Sequence, residues 1–171
     1  MIMREYGFTL MILIWLAAFG PARADQFTID LEVKGPKAGR TVHAEAAATG
    51  PLELGAKPKP RAILEIQAGD TITIKWTLTS IAPKETVKDV LVHFYAVKID
   101  KAGDRPPPKL DKGVLLETAL TMDFKPKDKS EGELNLLVDK AGVYLLRLET
   151  SFKHVDAEAL EPFATLDLIV R

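Results

Sequence analysis

Apolar and polar residues alternate with a period of two along much of the chain. The stretches Phe27–Val33 and Thr71–Thr79 follow this pattern without interruption. Successive side chains of a β-strand point to opposite faces, so each stretch predicts a strand with one buried face and one solvated face. The buried face of the second stretch would consist of Ile72, Ile74, Trp76 and Leu78.

Further strands are predicted where short apolar segments lie between turn-forming residues. The segment Val87–Ile99 is apolar on both faces, as expected of a central strand, and Thr41–Ala48 could be a helix but favours a weak edge strand. The other predicted strands are Ala62–Gln67, Val114–Phe124, Glu133–Val138, Val143–Thr150 and Phe163–Val170. Eight or nine short strands with almost no helical periodicity predict an all-β fold, a two-sheet sandwich or a barrel.

The first 24 residues differ from the remainder of the chain. They contain a basic residue, Arg4, then the apolar run Phe8–Phe19, and they end in the small-x-small sequence Ala22-Arg23-Ala24. These three parts are typical of a secretory signal peptide. A membrane anchor is the alternative, but the run is shorter than the roughly 20 residues that a spanning helix needs. We expect a signal peptide over 1–24 and an exported domain, periplasmic or extracellular, over 25–171.

Composition limits what the expected mature chain can do. It would have 147 residues, the size of one domain, with 21 basic and 23 acidic side chains. No basic stripe is present to neutralise phosphates, so nucleic acid is not an expected partner. No second long apolar run follows the signal, so no transmembrane segment is expected. The chain has no cysteine, which excludes disulfides, thiol nucleophiles and thiolate metal sites.

Two local sequences carry a resemblance to known sandwich folds. The stretch Ile66–Trp76 resembles the strand, A-G-D-T, strand, Trp passage of cupredoxin-like and immunoglobulin-like domains. The stretch Asp139–Leu145 resembles their A-G-x-Y entry into a late strand, where a tyrosine near a sheet corner can bond back to the backbone. The resemblance implies a single immunoglobulin-like or cupredoxin-like Greek-key β-sandwich. It does not carry the blue-copper site of cupredoxins, because that site needs a cysteine.

The candidate metal ligands are few. They are His93, within the predicted strand Val87–Ile99 and on the face of Leu91 and Tyr95, and the loop residues His154, Asp156 and Glu158, with His43 near the start of the ambiguous segment Thr41–Ala48 as a further histidine. A transition-metal site would need two or three such groups to converge. The alternative for His93 is a half-buried strand residue bonded to backbone or water, and for the loop residues a solvated connector.

The sequence contains no motif for a cofactor, and none of its serines lies in a G-x-S-x-G nucleophile turn. Its polar residues distribute as solvated faces and loops. We therefore expect an exported, non-enzymatic binding or interaction module whose partner is a protein or a small ligand. A periplasmic metal-handling protein and a small hydrolase are the alternatives. An interaction module should expose an apolar patch or leave a sheet edge uncovered.

Overall fold

A computed structural model describes residues 26–36, 40–46, 60–107, 109–152 and 162–171. The chain forms nine β-strands in these ranges, as the alternation predicted, and the ambiguous segment after residue 40 is a strand. The strands are β1 (Phe27–Lys34), β2 (Thr41–Ala46), β3 (Ala62–Ile66), β4 (Asp70–Ser80), β5 (Val87–Ile99), β6 (Val114–Phe124), β7 (Lys129–Val138), β8 (Gly142–Phe152) and β9 (Phe163–Val170).

The nine strands form two sheets. One has four strands in the order β2-β1-β4-β7, and the other has five in the order β3-β9-β8-β5-β6. Neighbouring strands are antiparallel except for the parallel pair β3 and β9. The two sheets pack face to face, so the all-β sandwich predicted from the sequence is confirmed.

The main core fills the space between the sheets. Every second residue of β1 is buried, and β4 buries Ile72, Ile74 and Leu78 in the same alternation. From the opposite sheet, the central strand β8 buries Tyr144, Leu146 and Leu148 against them. Burial of this apolar surface drives the association of the two sheets.

The strand β5 is apolar on both faces because a second, smaller cluster lies on the outer face of the five-stranded sheet. That cluster contains Tyr95, Val97, Ile99 and Leu145, with Leu110, Val114 and Val143 packed around them.

The segment after β5 is held nearby by Asp167, which is 1% exposed. Its carboxylate accepts hydrogen bonds from Arg61, at 3.0 Å, and from the Gly103 amide, at 2.8 Å. Strand β5 lies inside the sheet, between β8 and β6.

The tyrosine implied by the resemblance bonds back to the backbone. Tyr144 is buried, and its hydroxyl donates to the carbonyl oxygen of Lys140 at 3.0 Å. Burial raises the pKa of Tyr144, with a further contribution from the nearby Asp139 carboxylate. The bond fixes the turn that leads into β8.

Strand β7 begins four residues earlier than the predicted start at Glu133. The alternation continues through this part, but its inward positions are Ser130 and Gly132 and do not read as apolar. Gly132 pairs with Trp76 on β4. A Cβ atom on Gly132 would lie 2.5 Å from Cη2 of the Trp76 indole and closer still to two other ring atoms. Only glycine leaves room for the indole.

The expected signal peptide, residues 1–24, lies outside the described residues. Within the described part of the chain, no helix has the length and apolar character needed to cross a membrane.

Candidate functional site

Strand β6 is an edge of the five-stranded sheet. It has eleven residues, pairs with β5 on one side, and has no neighbouring strand on its other side among the described residues. Five consecutive residues, Glu117–Thr121, are exposed. An edge strand presents a row of unpaired backbone N–H and C=O groups. The sheet edge expected of an interaction module is therefore present at β6.

The inward face of β6 is incompletely covered by the four-stranded sheet. Register with β5 places Leu116, Thr118, Leu120 and Met122 on the core-facing side, and we call these four side chains the β6 overhang. Thr118 and Leu120 are exposed, and Leu120 retains 58% of its accessible surface. Leu116 and Met122 are only partly buried. The β6 overhang is thus an apolar rim continuous with the core.

Trp76 bridges the two sheets near the β6 overhang. Its indole stacks on Phe94 of β5, with ring centroids 6.1 Å apart and an angle of 11° between the planes. Phe94 in turn lies opposite Thr118 of β6. The sequence predicted Trp76 on the apolar face, and it packs there, although the side chain is only partly buried.

A polar network crosses the outer face of the same sheet. Arg147 of β8 lies 3.8 Å over the ring of Phe163 on β9, and its Nε also donates to Glu149. Glu149 contacts His93 of β5 through Nδ1 at 3.2 Å, and Glu117 of β6 contacts the same ring through Nε2 at 3.1 Å. The network therefore joins the edge strand β6 to the interior of the sheet.

His93 has a carboxylate at each of its ring nitrogens. A carboxylate only accepts hydrogen bonds, so both contacts can be made at once only when both ring nitrogens carry a proton. The His93 side chain is 18% exposed, which agrees with a half-buried strand residue, and it contacts the carboxylates of Glu117 and Glu149. Through these two contacts the imidazole links β5 to both of its neighbouring strands, β8 and β6.

Beside this network, the Tyr95 ring lies 5.0 Å from the His93 ring. Burial raises the pKa of Tyr95 to about 12, and the Glu149 carboxylate adds to this shift. The phenol therefore stays neutral where a free tyrosine would ionise.

The structure separates two of the three histidines. His43 lies on the outer face of the four-stranded sheet, where it contacts Glu32 at 3.6 Å, and His93 lies on the outer face of the opposite sheet. Across the ranges that the structure describes, no group of three or more His, Asp or Glu side chains is arranged so that it could hold a metal ion, the contacts of His93 with Glu117 and Glu149 included. His154, Asp156 and Glu158 lie outside those ranges, so the loop metal site stays a prediction.

Sequence reasoning placed His93 on the correct face but did not find its partners. Glu117 and Glu149 lie 24 and 56 residues away from it, and only the register of β5 with its two neighbours brings them together. Sequence reasoning also predicted strand β6, but it did not predict that β6 is an edge strand, because alternation along one strand contains no information on strand order.

Comparisons with known proteins give fold-level similarities only. No protein-family model matches the sequence, and no curated protein matches it either. Among solved structures, the CARDB domain of a Pyrococcus furiosus protein is similar in its solution structure, with 11% identity, a TM-score of 0.46, and coverage of 85% of this chain and 96% of that one. The crystal structure of that domain with di-metal ions gives 13% identity, a TM-score of 0.46, and coverage of 86% and 90%.

The C-terminal domain of wzt is also similar, with 12% identity, a TM-score of 0.42, and coverage of 82% of this chain and 70% of that one. These values are too low to extend any property of those proteins to this chain.

Proposed function

We propose that this chain is an exported, non-enzymatic interaction module that binds an extended protein segment by strand addition at the β6 edge. Its scaffold is an immunoglobulin-like or cupredoxin-like sandwich. Export is supported by the basic start, apolar run and small-x-small end of the first 24 residues. Binding is supported by one observation above the others, the five exposed residues of an eleven-residue edge strand.

Strand β6 lacks several of the features with which proteins protect sheet edges, although its pairing with β5 is irregular between Val114 and Leu116. Proline, lysine and inward charges are the usual protections, and β6 contains neither proline nor lysine. Its two acidic residues already have partners within the chain, since Glu117 contacts His93 and Asp123 accepts the Asp89 amide at 3.0 Å. An added strand would therefore meet free backbone groups without leaving a charge unpaired.

The edge strand β7 of the other sheet is a useful contrast. Its outward face alternates Lys129, Glu131 and Glu133, all exposed, so an incoming strand must be placed beside a row of charges. Charged side chains on an edge disfavour pairing. The two long edges at this side of the sandwich thus differ in how readily they accept a partner strand.

The β6 overhang would supply the apolar part of the interaction. In strand addition the backbone bonds give affinity, and alternate side chains of the added strand give specificity. An apolar side chain of the ligand would lie beside Leu120 and Met122, where it would remove exposed apolar surface from water. We expect a ligand segment that is extended and apolar at alternate positions.

Matched lysine substitutions on two exposed leucines test this proposal. Leu120, on the inner face of β6, is 58% exposed, and Leu137, on the outer face of β7, is 60% exposed, so the two substitutions are matched in exposure and lie on different edges. Peptides of about ten residues would be selected on the full chain from a displayed random library. Their binding would be measured by calorimetry and located by hydrogen exchange of backbone amides.

We expect the selected peptides to slow the exchange of β6 amides. Leu120→Lys should weaken their binding by about tenfold or more, equivalent to about 1.4 kcal/mol, while Leu137→Lys changes it by less than about twofold. Equal effects of the two substitutions, or peptides that protect only amides remote from β6, would contradict the proposed function.

A further inference from the structure

We propose that the strand added at β6 is the β6 strand of a second copy of this chain, so that the protein forms a symmetric dimer with one continuous ten-stranded sheet. This inference rests on the proposed function, because it names the partner of the same edge. A two-fold axis perpendicular to the sheet makes such an interface self-complementary, with each contact present twice. Each residue of β6 must then be compatible with the β6 residue of the second copy that the two-fold axis places opposite it.

A two-fold axis at Thr121 gives that match. Antiparallel pairing about this residue places Thr121 opposite Thr121 of the second copy, and Leu120 opposite Met122. Continued one residue past the end of β6 at Phe124, the same pairing would bring Glu117 opposite Lys125 of the second copy, whose amide donates to Asp128 in the turn that follows. Threonine pairs, apolar pairs and opposite charges are the cross-strand pairs that stabilise antiparallel sheets.

Charge complementarity selects this register. Glu117 and Lys125 are both exposed, and the pairing brings together two oppositely charged pairs per dimer. An axis at Ala119 would overlap the full strand but would pair Glu117 with Thr121 and create no ion pair. On β7, an axis at Gly132 would place Glu131 opposite Glu133 twice, and like charges directly opposite are destabilising.

The inner face supports the same pairing. The five-stranded sheet has one strand more than the sheet packed on it, and the exposed part of the β6 overhang projects at that margin. In the dimer, Leu120 of each copy would lie against Met122 of the other. Two apolar rims that are individually exposed to water would thus cover each other.

The absence of cysteine from the chain allows a direct test. Residues directly opposite each other in antiparallel strands have Cα atoms about 4.5–5.5 Å apart, within the range that a disulfide spans. Thr121→Cys should therefore cross-link the full chain with itself when oxidised glutathione accepts the two electrons and two protons of the thiols. Leu137→Cys on β7 is the matched control, and Ala119→Cys reports the alternative register.

We expect Thr121→Cys to give at least about fivefold more disulfide-linked dimer than Leu137→Cys or Ala119→Cys at equal concentration. Preferential cross-linking through Ala119 would overturn the register, and no excess from either β6 position would overturn the dimer.

Charge reversal gives an independent measure of the same contact. Glu117→Lys and Lys125→Glu each place like charges opposite one another, so each should weaken the dimer by about tenfold in sedimentation equilibrium. The double variant restores opposite charges and should recover most of that loss, whereas a double variant no better than the singles would contradict the pairing.

The two proposals fail in different ways. A chain that neither cross-links through β6 nor dimerises, but whose β6 amides are protected by selected peptides, refutes the dimer and leaves strand addition standing. A chain whose β6 edge takes neither peptides nor a second copy refutes both.

Discussion

Replacing Gly132 with alanine tests how closely the indole of Trp76 is fitted against β7. The added Cβ atom would lie 2.5 Å from Cη2 of the ring and closer to two further ring atoms. Ordinary carbon contacts are about 3.5–4.0 Å, so the ring or the strand must move by more than about 1 Å. The indole cannot retreat freely, because Phe94 stacks on it and is itself 2% exposed.

Two routes of relaxation give similar costs. If the indole stays in place, overpacking costs about 1–3 kcal/mol. If it swings into solvent, it loses roughly 100 Å² of burial, worth about 2.5 kcal/mol at about 25 cal/mol per Å². The gain from removing a strand glycine offsets about 0.5 kcal/mol of either cost. We expect Gly132→Ala to lower the free energy of unfolding by about 2 kcal/mol.

The measurement is a urea titration followed by circular dichroism and by tryptophan emission. The domain over 25–171 contains one tryptophan in its sequence, so its emission reports on Trp76 alone. Gly35→Ala is the control, since its Cβ would meet Leu64 at an ordinary 3.5 Å and should change stability by less than about 0.5 kcal/mol. A Gly132→Ala variant as stable as the parent, with unchanged emission, would refute the packing of Trp76 on β7.

Three further substitutions test other contacts of the fold, each by urea titration. Asp167→Asn should cost about 2 kcal/mol, because Arg61 loses the charge of a buried partner at 3.0 Å; a change below about 0.5 kcal/mol would contradict this. Tyr144→Phe should cost about 1 kcal/mol through loss of the bond to the Lys140 carbonyl, and an unchanged midpoint would show that this bond does not stabilise the turn. The pKa of Tyr95 is raised to about 12, while the phenol of the unfolded chain ionises near 10. The free energy of unfolding should therefore fall by about 2 kcal/mol between pH 10 and 12. Tyr95→Phe should lose less stability over that range, and equal losses in the two proteins would count against the buried phenol.

The strands could be predicted from the sequence because alternation is a local property. The alternation around Ile74, for example, predicts which face of β4 is buried, whereas β5 is predicted from an apolar segment and β2 only as the favoured one of two alternatives. The start of β7 was not predicted, because the inward position there is Gly132. Only glycine leaves room at this position for the indole of Trp76 on β4. That cause is a cross-strand contact, and it leaves no mark in the local pattern.

The candidate site depends on contacts between strands, which a local sequence pattern does not contain. His93 was recognised as a strand residue, but its role follows from Glu117 and Glu149, which the registers of β6 and β8 bring to its two nitrogens. The edge position of β6 likewise follows from strand order. A sequence pattern can predict that a strand has one polar face, but it cannot predict which neighbour is missing.

The polar network and the open edge are parts of one arrangement. A strand that accepts a partner must have free backbone groups, and it must also be held still, since ordering a frayed edge on binding would cost conformational entropy. Glu117 is the first residue of the exposed stretch of β6, and His93 links it to Glu149 two strands away. Arg147 and Phe163 extend the same chain of contacts to β9. Glu117, His93 and Glu149 therefore link the exposed strand β6 to β5 and β8, and these contacts oppose fraying of the edge.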